Sequence, residues 1–208
     1  MISKAGSRTY ERAHFPSRHP RLSTMERCLL KWAVIDRDDR VLDVGLGNGL
    51  MAEYLLRNME CEVCGVADDM ELVRSTRGLV RSADLVYAAA GDIPWRDQAF
   101  HAVLLRPCRL DESAMENQLR EVHRVLKEGG QLVMALENLP APLRSALDAI
   151  RETPAEVTEN ITRRRAMKML SQLGFEQFSW HPCGIFAGAL VAWKRNTVEE
   201  RFKNGESE

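Results

Sequence analysis

Asp43-Val44-Gly45-Leu46-Gly47-Asn48-Gly49 sets one acid ahead of three alternating glycines. Glycine lets backbone come close to a ligand. A helix that follows such a turn offers its first amide groups to an anion, either a phosphate or a carboxylate. Spacing separates the two. A dinucleotide loop reads G-x-G-x-x-G/A. Counted from Gly45, its third glycine falls on the larger Leu50, and counting from Gly47 fails as well. The pattern present is D-x-G-x-G-x-G, which sets a nicotinamide oxidoreductase aside.

Other residues with chemical potential are spread along the chain. Asp68 and Asp69 follow an apolar run, Asp92 sits in Gly91-Asp92-Ile93-Pro94-Trp95, and Arg106 and Arg109 flank Pro107-Cys108. Arginine takes carboxylate or phosphate groups in bidentate fashion, so Arg106 and Arg109 suit an anionic small-molecule substrate. Tyr10, His14 and His19 in the N-terminal arm are weak candidates for a base, and a surface role suits each better. No catalytic triad is apparent. Cys61 and Cys64 form a C-x-x-C, but a zinc site needs a second ligand pair. Cys28, Cys108 and Cys183 do not supply that spacing. The pair reads as buried structural cysteine, and no metal is expected.

These residues need elements to hold them. The 208 residues suit one domain with short decorations. Hydrophobic residues at 45% and charged residues at 28% match an ordinary soluble globular chain. The net charge of -1 argues against a polyanion binder. Between Lys4 and Lys31, Arg8, Arg12, Arg18, Arg21 and Arg27 outnumber Glu11 and Glu26. That stretch reads as a solvated surface, and nucleic acid is an improbable partner. There is no apolar run of about 20 residues to span a bilayer and no apolar block of a signal peptide. Five scattered cysteines fit reduced thiols. A cytoplasmic location is expected.

Apolar spacing predicts helices over 22–35, 50–58, 70–80, 111–127, 141–152 and 162–173. Ser113 and Glu116 have the spacing of a capping box for the fourth helix, and Gly129 and Gly130 would stop it. Strands are predicted over 40–44, 61–67, 85–89, 99–105, 131–136, 175–180 and 185–193. Residues 1–20 read as an irregular arm. Alternating strands and helices imply a parallel sheet covered on both faces. The short turn at Pro182 and Gly184 permits only an antiparallel last pair. The expected fold is thus α/β, a Rossmann-like doubly wound seven-stranded sheet, mostly parallel with an antiparallel C-terminal hairpin strand. Ligands of such sheets bind beyond the carboxyl ends of the strands.

Val41-Leu42-Asp43-Val44-Gly45-Leu46-Gly47-Asn48-Gly49 resembles motif I of class I S-adenosylmethionine-dependent methyltransferases. Three later segments agree in order: Cys64-Gly65-Val66-Ala67-Asp68; Gly91-Asp92-Ile93-Pro94-Trp95 with Asp97, Ala99 and Phe100; and Leu119 to Gly130, which is similar to "L.E..RVLKPGG". The resemblance covers residues 38–136 and is strongest to small methyltransferases of the ubiquinone/menaquinone biosynthesis type. It implies an arm and helix over 1–37 that cover the active site, a cofactor domain over 38–195 and a charged tail over 196–208.

The resemblance also implies roles. Asp43, Gly45, Leu46, Gly47 and Gly49 would surround the methionine part of S-adenosylmethionine. An acid would hold the ribose hydroxyls. The family's acid directly follows Gly-Val, where this chain has Ala67; Asp68 is expected instead, re-aimed by a small bulge, with Asp69 as substitute. Asp92 would accept from the adenine amino group beside Ile93. Arg106 would lie near the methionine end and the acceptor. His101 stands where the family has an aspartate, and reads as a polar residue at a strand start. Methyl transfer by in-line displacement depends mainly on alignment, so a missing triad is no obstacle. Two alternatives remain open. One is a non-catalytic or regulatory S-adenosylmethionine-binding protein. The other is cytosine-C5 methyl transfer, with Cys108 of Pro107-Cys108 as nucleophile and Glu137-Asn138 at the next strand end.

Overall fold

The computed structural model describes residues 2–4, 8–10, 21–89, 91–106, 112–137, 161–184 and 187–196. Strands β1 (Ile2–Lys4) and β2 (Arg8–Tyr10) pair antiparallel, with Ile2 opposite Tyr10. The expected irregular arm therefore contains a small ladder. Its three-residue polar strands carry no apolar alternation for a sequence reading to find.

The remaining elements follow in order: α1 (Thr24–Trp32), β3 (Arg40–Val44), α2 (Leu50–Tyr54), β4 (Glu62–Ala67), α3 (Met70–Leu79), β5 (Asp84–Tyr87), β6 (Phe100–Leu105), α4 (Glu112–Val125), β7 (Leu126–Glu137), α5 (Arg163–Gln172), β8 (Phe175–Pro182) and β9 (Ala187–Lys194). Helix α2 widens into a π-helical turn at Leu55–Met59. The predicted helix over 141–152 lies outside the described residues.

Seven strands form one sheet in the order β5-β4-β3-β6-β7-β9-β8. Pairs β3–β4, β4–β5, β3–β6 and β6–β7 are parallel, while β9 runs antiparallel to both β7 and β8. This is the expected sheet. Alternation along each strand feeds two cores. Val41, Ala102 and Leu104 face α1 and α2 with Leu29, Met51 and Leu55. Leu42, Val103 and Leu105 face α4 and α5 with Leu119, Val122 and Leu170. The chain leaves β3 in one direction and returns at β6 in the other. The switch point, where a crevice opens, is thus at the carboxyl ends of β3 and β6.

Three local expectations need correction. Helix α4 already includes Glu112, so Ser113 lies inside its first turn and is not its cap. The helix also ends at Val125, before Gly129. Lys194 of β9 donates to the carbonyls of His123 and Leu126, both at 2.8 Å. That satisfies the helix end, and β7 starts at once. The third concerns cysteine. Cys28 of α1 and Cys183 of the β8–β9 turn form a disulfide, with Cα atoms 6.0 Å apart, a usual separation. Cys61 and Cys64 are unpaired and buried. Burial pushes their thiols up, to about 12 and about 11, which leaves them protonated. No helix among the described residues is long and apolar enough to cross a membrane.

Candidate cofactor site

Strand β3 delivers Asp43 and Val44 to the switch point, and the chain then turns sharply. Gly45, Gly47 and Gly49 have φ of +99°, +52° and +76°. Leu46 between them is also left-handed, at +39°. Its side chain is fully buried against β4, where a Cβ on Gly65 would lie 2.2 Å from Leu46 Cδ2. Close approach at Gly65 is therefore what seats the loop. It leaves the Leu46 carbonyl, not its side chain, to make polar contacts in the loop. The Leu46 carbonyl accepts from the Gly49 amide at 3.0 Å. The amide of Leu50, which opens α2, donates to Asn48 Oδ1 at 3.2 Å.

Arg106 follows β6 directly, and its amide donates to the Val44 carbonyl at 3.2 Å. Its side chain runs across the glycine loop. A Cβ on Gly47 would lie 2.4 Å from Arg106 Nη1, and its φ of +52° is one that L side chains rarely adopt. The guanidinium donates to Glu26 Oε1 at 2.9 Å, to the Leu46 carbonyl at 3.1 Å and to the Asp43 carboxylate at 3.4 and 3.5 Å. Asp43 is fully buried and Glu26 nearly so. Burial raises the Asp43 carboxyl above its ordinary range, and Arg106 only partly offsets this. For Glu26 the balance reverses. Burial acts to raise it, but the Ser23 amide and Arg106 outweigh burial and hold it low. Burial acts to lower Arg106, and Asp43 and Glu26 more than compensate, so the arginine stays charged.

Glu26 was absent from the expected site. It is the third residue of α1, in a reciprocal capping box with Ser23. The Ser23-x-x-Glu26 spacing signals that cap in the sequence, but nothing local signals Arg106, which lies 80 residues on.

The small bulge expected near Asp68 is not seen within the β4–β5 pairing. The β4–β5 register runs without a shift up to Ala67 opposite Tyr87. Asp68 then lies past the strand, exposed, so strand alternation no longer governs where it points. Asp69 caps α3, its Oδ1 accepting from the amides of Glu71 and Leu72 at 2.8 and 3.0 Å. One oxygen of Asp69 thus serves the helix cap, while Asp68 is exposed.

Asp92 is exposed and its amide donates to the Ala89 carbonyl at 3.0 Å. Ile93 is buried, and its amide donates to Glu121 Oε2 at 3.1 Å. Arg124 completes the brace with bonds of 2.8 Å to the carbonyls of Ile93 and Trp95 and to Asp97. It also pairs with Glu121 at 2.7 Å. Glu121 and Arg124 belong to the matched Leu119–Gly130 segment. The sequence shows the pair but not its task, which is to fix the loop that carries Asp92.

His101 lies at the opposite end of β6, accepting from the Arg40 amide at 2.8 Å and contacting Lys127 Nζ at 2.7 Å. Tyr10 lies on β2. His14, His19, Cys108 and Arg109 lie outside the described residues.

With this geometry in place, a family model described as a methyltransferase domain matches residues 42–134. That segment is similar to the class I S-adenosylmethionine-dependent methyltransferases. The chain is 30% identical over 169 residues to sarcosine/dimethylglycine N-methyltransferase of Halorhodospira halochloris, a match covering 76% of this chain and 58% of that relative's length. It is 26% identical over 182 residues to demethylmenaquinone methyltransferase of Thermotoga maritima, covering 74% and 79%. It shares its fold with the [4+2]-cyclase SpnF at TM-score 0.66 and 21% identity, covering 82% and 80%. The residues present fit the family's cofactor. The loop turns on three glycines of positive φ, and an exposed carboxylate, Asp68, stands just past the neighbouring strand.

Proposed function

We propose that this chain moves the methyl group of S-adenosylmethionine to a small-molecule acceptor by in-line displacement. The observation that carries the reading is the tight glycine turn at the β3–β6 switch point, with buried Asp43 beneath it. Bound S-adenosylmethionine supplies an electrophilic methyl on a cationic sulfur. Gly45, Leu46, Gly47 and Gly49 would take its methionine end, Asp68 the ribose hydroxyls, and Asp92 beside Ile93 the adenine. Asp69 would serve mainly as the α3 cap.

The chain's task is then alignment. Residues 1–37 would cover the site, with 38–195 as the cofactor domain and 196–208 as a tail. The bond from Glu26 of α1 to Arg106 supports the cover. Relatives act on sarcosine or dimethylglycine and on demethylmenaquinone, which favours a small amine or quinone-like acceptor. Arg109 is the residue we assign to any anionic group on it. A cytoplasmic location belongs to the same proposal, supported by the unpaired Cys61 and Cys64. The redox state of Cys28 and Cys183 in cells tests it.

Calorimetric titration with S-adenosylmethionine and with NADH tests the cofactor, with binding expected for the first alone. Release of S-adenosylhomocysteine across a panel of amines and quinols then tests transfer. Binding without release by any acceptor would favour a regulatory protein instead.

A further inference from the structure

The guanidinium of Arg106 sits on the groups of the glycine loop that accept hydrogen bonds from a cation. These are the Asp43 carboxylate at 3.4 and 3.5 Å and the Leu46 carbonyl at 3.1 Å. The methionine end of S-adenosylmethionine carries an ammonium group that needs acceptors of this kind. A second cation here would be repelled by Arg106, and the Leu46 carbonyl already accepts from Arg106 and the Gly49 amide, which occupies both its lone pairs.

The contacts of Arg106 are unequal. The bond to Glu26, at 2.9 Å, is shorter than those to Asp43 and the Leu46 carbonyl. Glu26 comes from α1, outside the loop, and cannot swing away. Its other oxygen accepts from the Ser23 amide at 2.7 Å, and the Ser23 hydroxyl accepts from the Glu26 amide at 3.2 Å. A carboxylate fixed at both ends of a capping box is a stationary acceptor. Burial acts against both carboxylates, but at Glu26 the Ser23 amide and Arg106 outweigh it, whereas at Asp43 it prevails.

We propose that Arg106 is an internal competitor for the ammonium position of the cofactor, and that Glu26 is the positioning residue that draws it aside when the cofactor enters. This rests on the S-adenosylmethionine reading above. Arg106 keeps Glu26 and gives up Asp43 and the Leu46 carbonyl, which pass to the incoming ammonium. The α1 helix thereby sets cofactor affinity without touching the cofactor.

Calorimetric dissociation constants on the full chain test this with two probes, S-adenosylmethionine and 5′-methylthioadenosine, which lacks the amino-acid end. Arg106→Met removes the competitor, so S-adenosylmethionine should bind at least threefold more tightly. Glu26→Gln removes the fixed anion that receives Arg106, so S-adenosylmethionine should bind about tenfold more weakly. The double variant should bind like Arg106→Met, because Glu26 has no arginine to draw aside. 5′-Methylthioadenosine should bind all forms alike. Weaker S-adenosylmethionine binding by Arg106→Met overturns the proposal, since Arg106 would then hold the cofactor. A loss from Glu26→Gln that persists in the double variant, or that extends to 5′-methylthioadenosine, also overturns it, since Glu26 would then act only as a helix cap.

Leaving Asp43 and Glu26 buried without a counter-ion threatens folding in Arg106→Met. Arg106→Lys is the second variant. A lysine is a point charge that does not span Asp43, Leu46 and Glu26 together, so it should also tighten S-adenosylmethionine binding, and weaker binding refutes the proposal. A wild-type chain that binds no S-adenosylmethionine would fail the cofactor reading itself, a separate result.

Discussion

Asp43 and Asp68 are carboxylates at the carboxyl ends of adjacent strands, one closing β3 and one just past β4. Their surroundings are opposite. Asp43 is fully buried, raised by burial and already paired with Arg106. Asp68 is exposed and has no ion pair among the described residues. One end of the site is neutralised from within, and the other is solvated and open. A ligand gains little net charge pairing at the first end, because it replaces a partner that is already there. At the second it displaces only water. The adenosine end should therefore supply affinity, and the methionine end should modulate it.

The largest expected effect is on the closed end. Gly65→Val would push a methyl-bearing carbon into Leu46 and Leu85, with a Cβ only 2.2 and 2.8 Å from their side chains. Overpacking of this kind costs about 3 kcal/mol, read as the shift in urea midpoint, and should take cofactor binding with it as Leu46 is displaced. An unchanged midpoint would mean that Leu46 does not anchor the loop. Next comes the open end. Asp68→Asn removes a charge-assisted hydrogen bond, which is worth about 2 kcal/mol, so S-adenosylmethionine affinity should fall more than tenfold with stability unchanged. If instead affinity holds, the ribose contact lies elsewhere.

Asp69→Ala reverses that pattern. Losing the α3 cap should cost about 1 kcal/mol of stability and leave affinity alone. A variant that loses affinity instead would exchange the two acids' roles.

The smallest effect lies far from both ends. Burial, then the nearby Lys194, lowers His123 to about 4. Below its ordinary value of 6.5 the unfolded chain takes up a proton that the folded chain refuses until about pH 4. Folding stability is thus lost as pH falls across that window. His123→Phe should remove this slope, so its midpoint should gain on the wild type steadily from pH 6.5 to 4. A pH-independent difference would rule it out.

What the sequence reveals follows how local each feature is. The D-x-G-x-G-x-G turn was legible because strand, turn and helix all fall within 15 residues, and the sheet was legible because each strand announces itself by apolar runs. Asp69 could have been read more sharply. An aspartate just before a helical run is a cap signal, and seeing it would have singled out Asp68. Glu26 and Arg106 were not legible as a pair, since only the packing of α1 across the sheet brings them together. The end of α4 is similar. Gly129 is the obvious stop, but Lys194 from β9 ends the helix first.

The Cys28–Cys183 bond joins residues 155 apart and so ties most of the cofactor domain into one covalent ring. A protease cut at any single peptide bond between the two cysteines would leave the mass unchanged apart from the added water. On a denaturing gel the nicked protein would still travel as one species. Only a reductant would part it into two fragments.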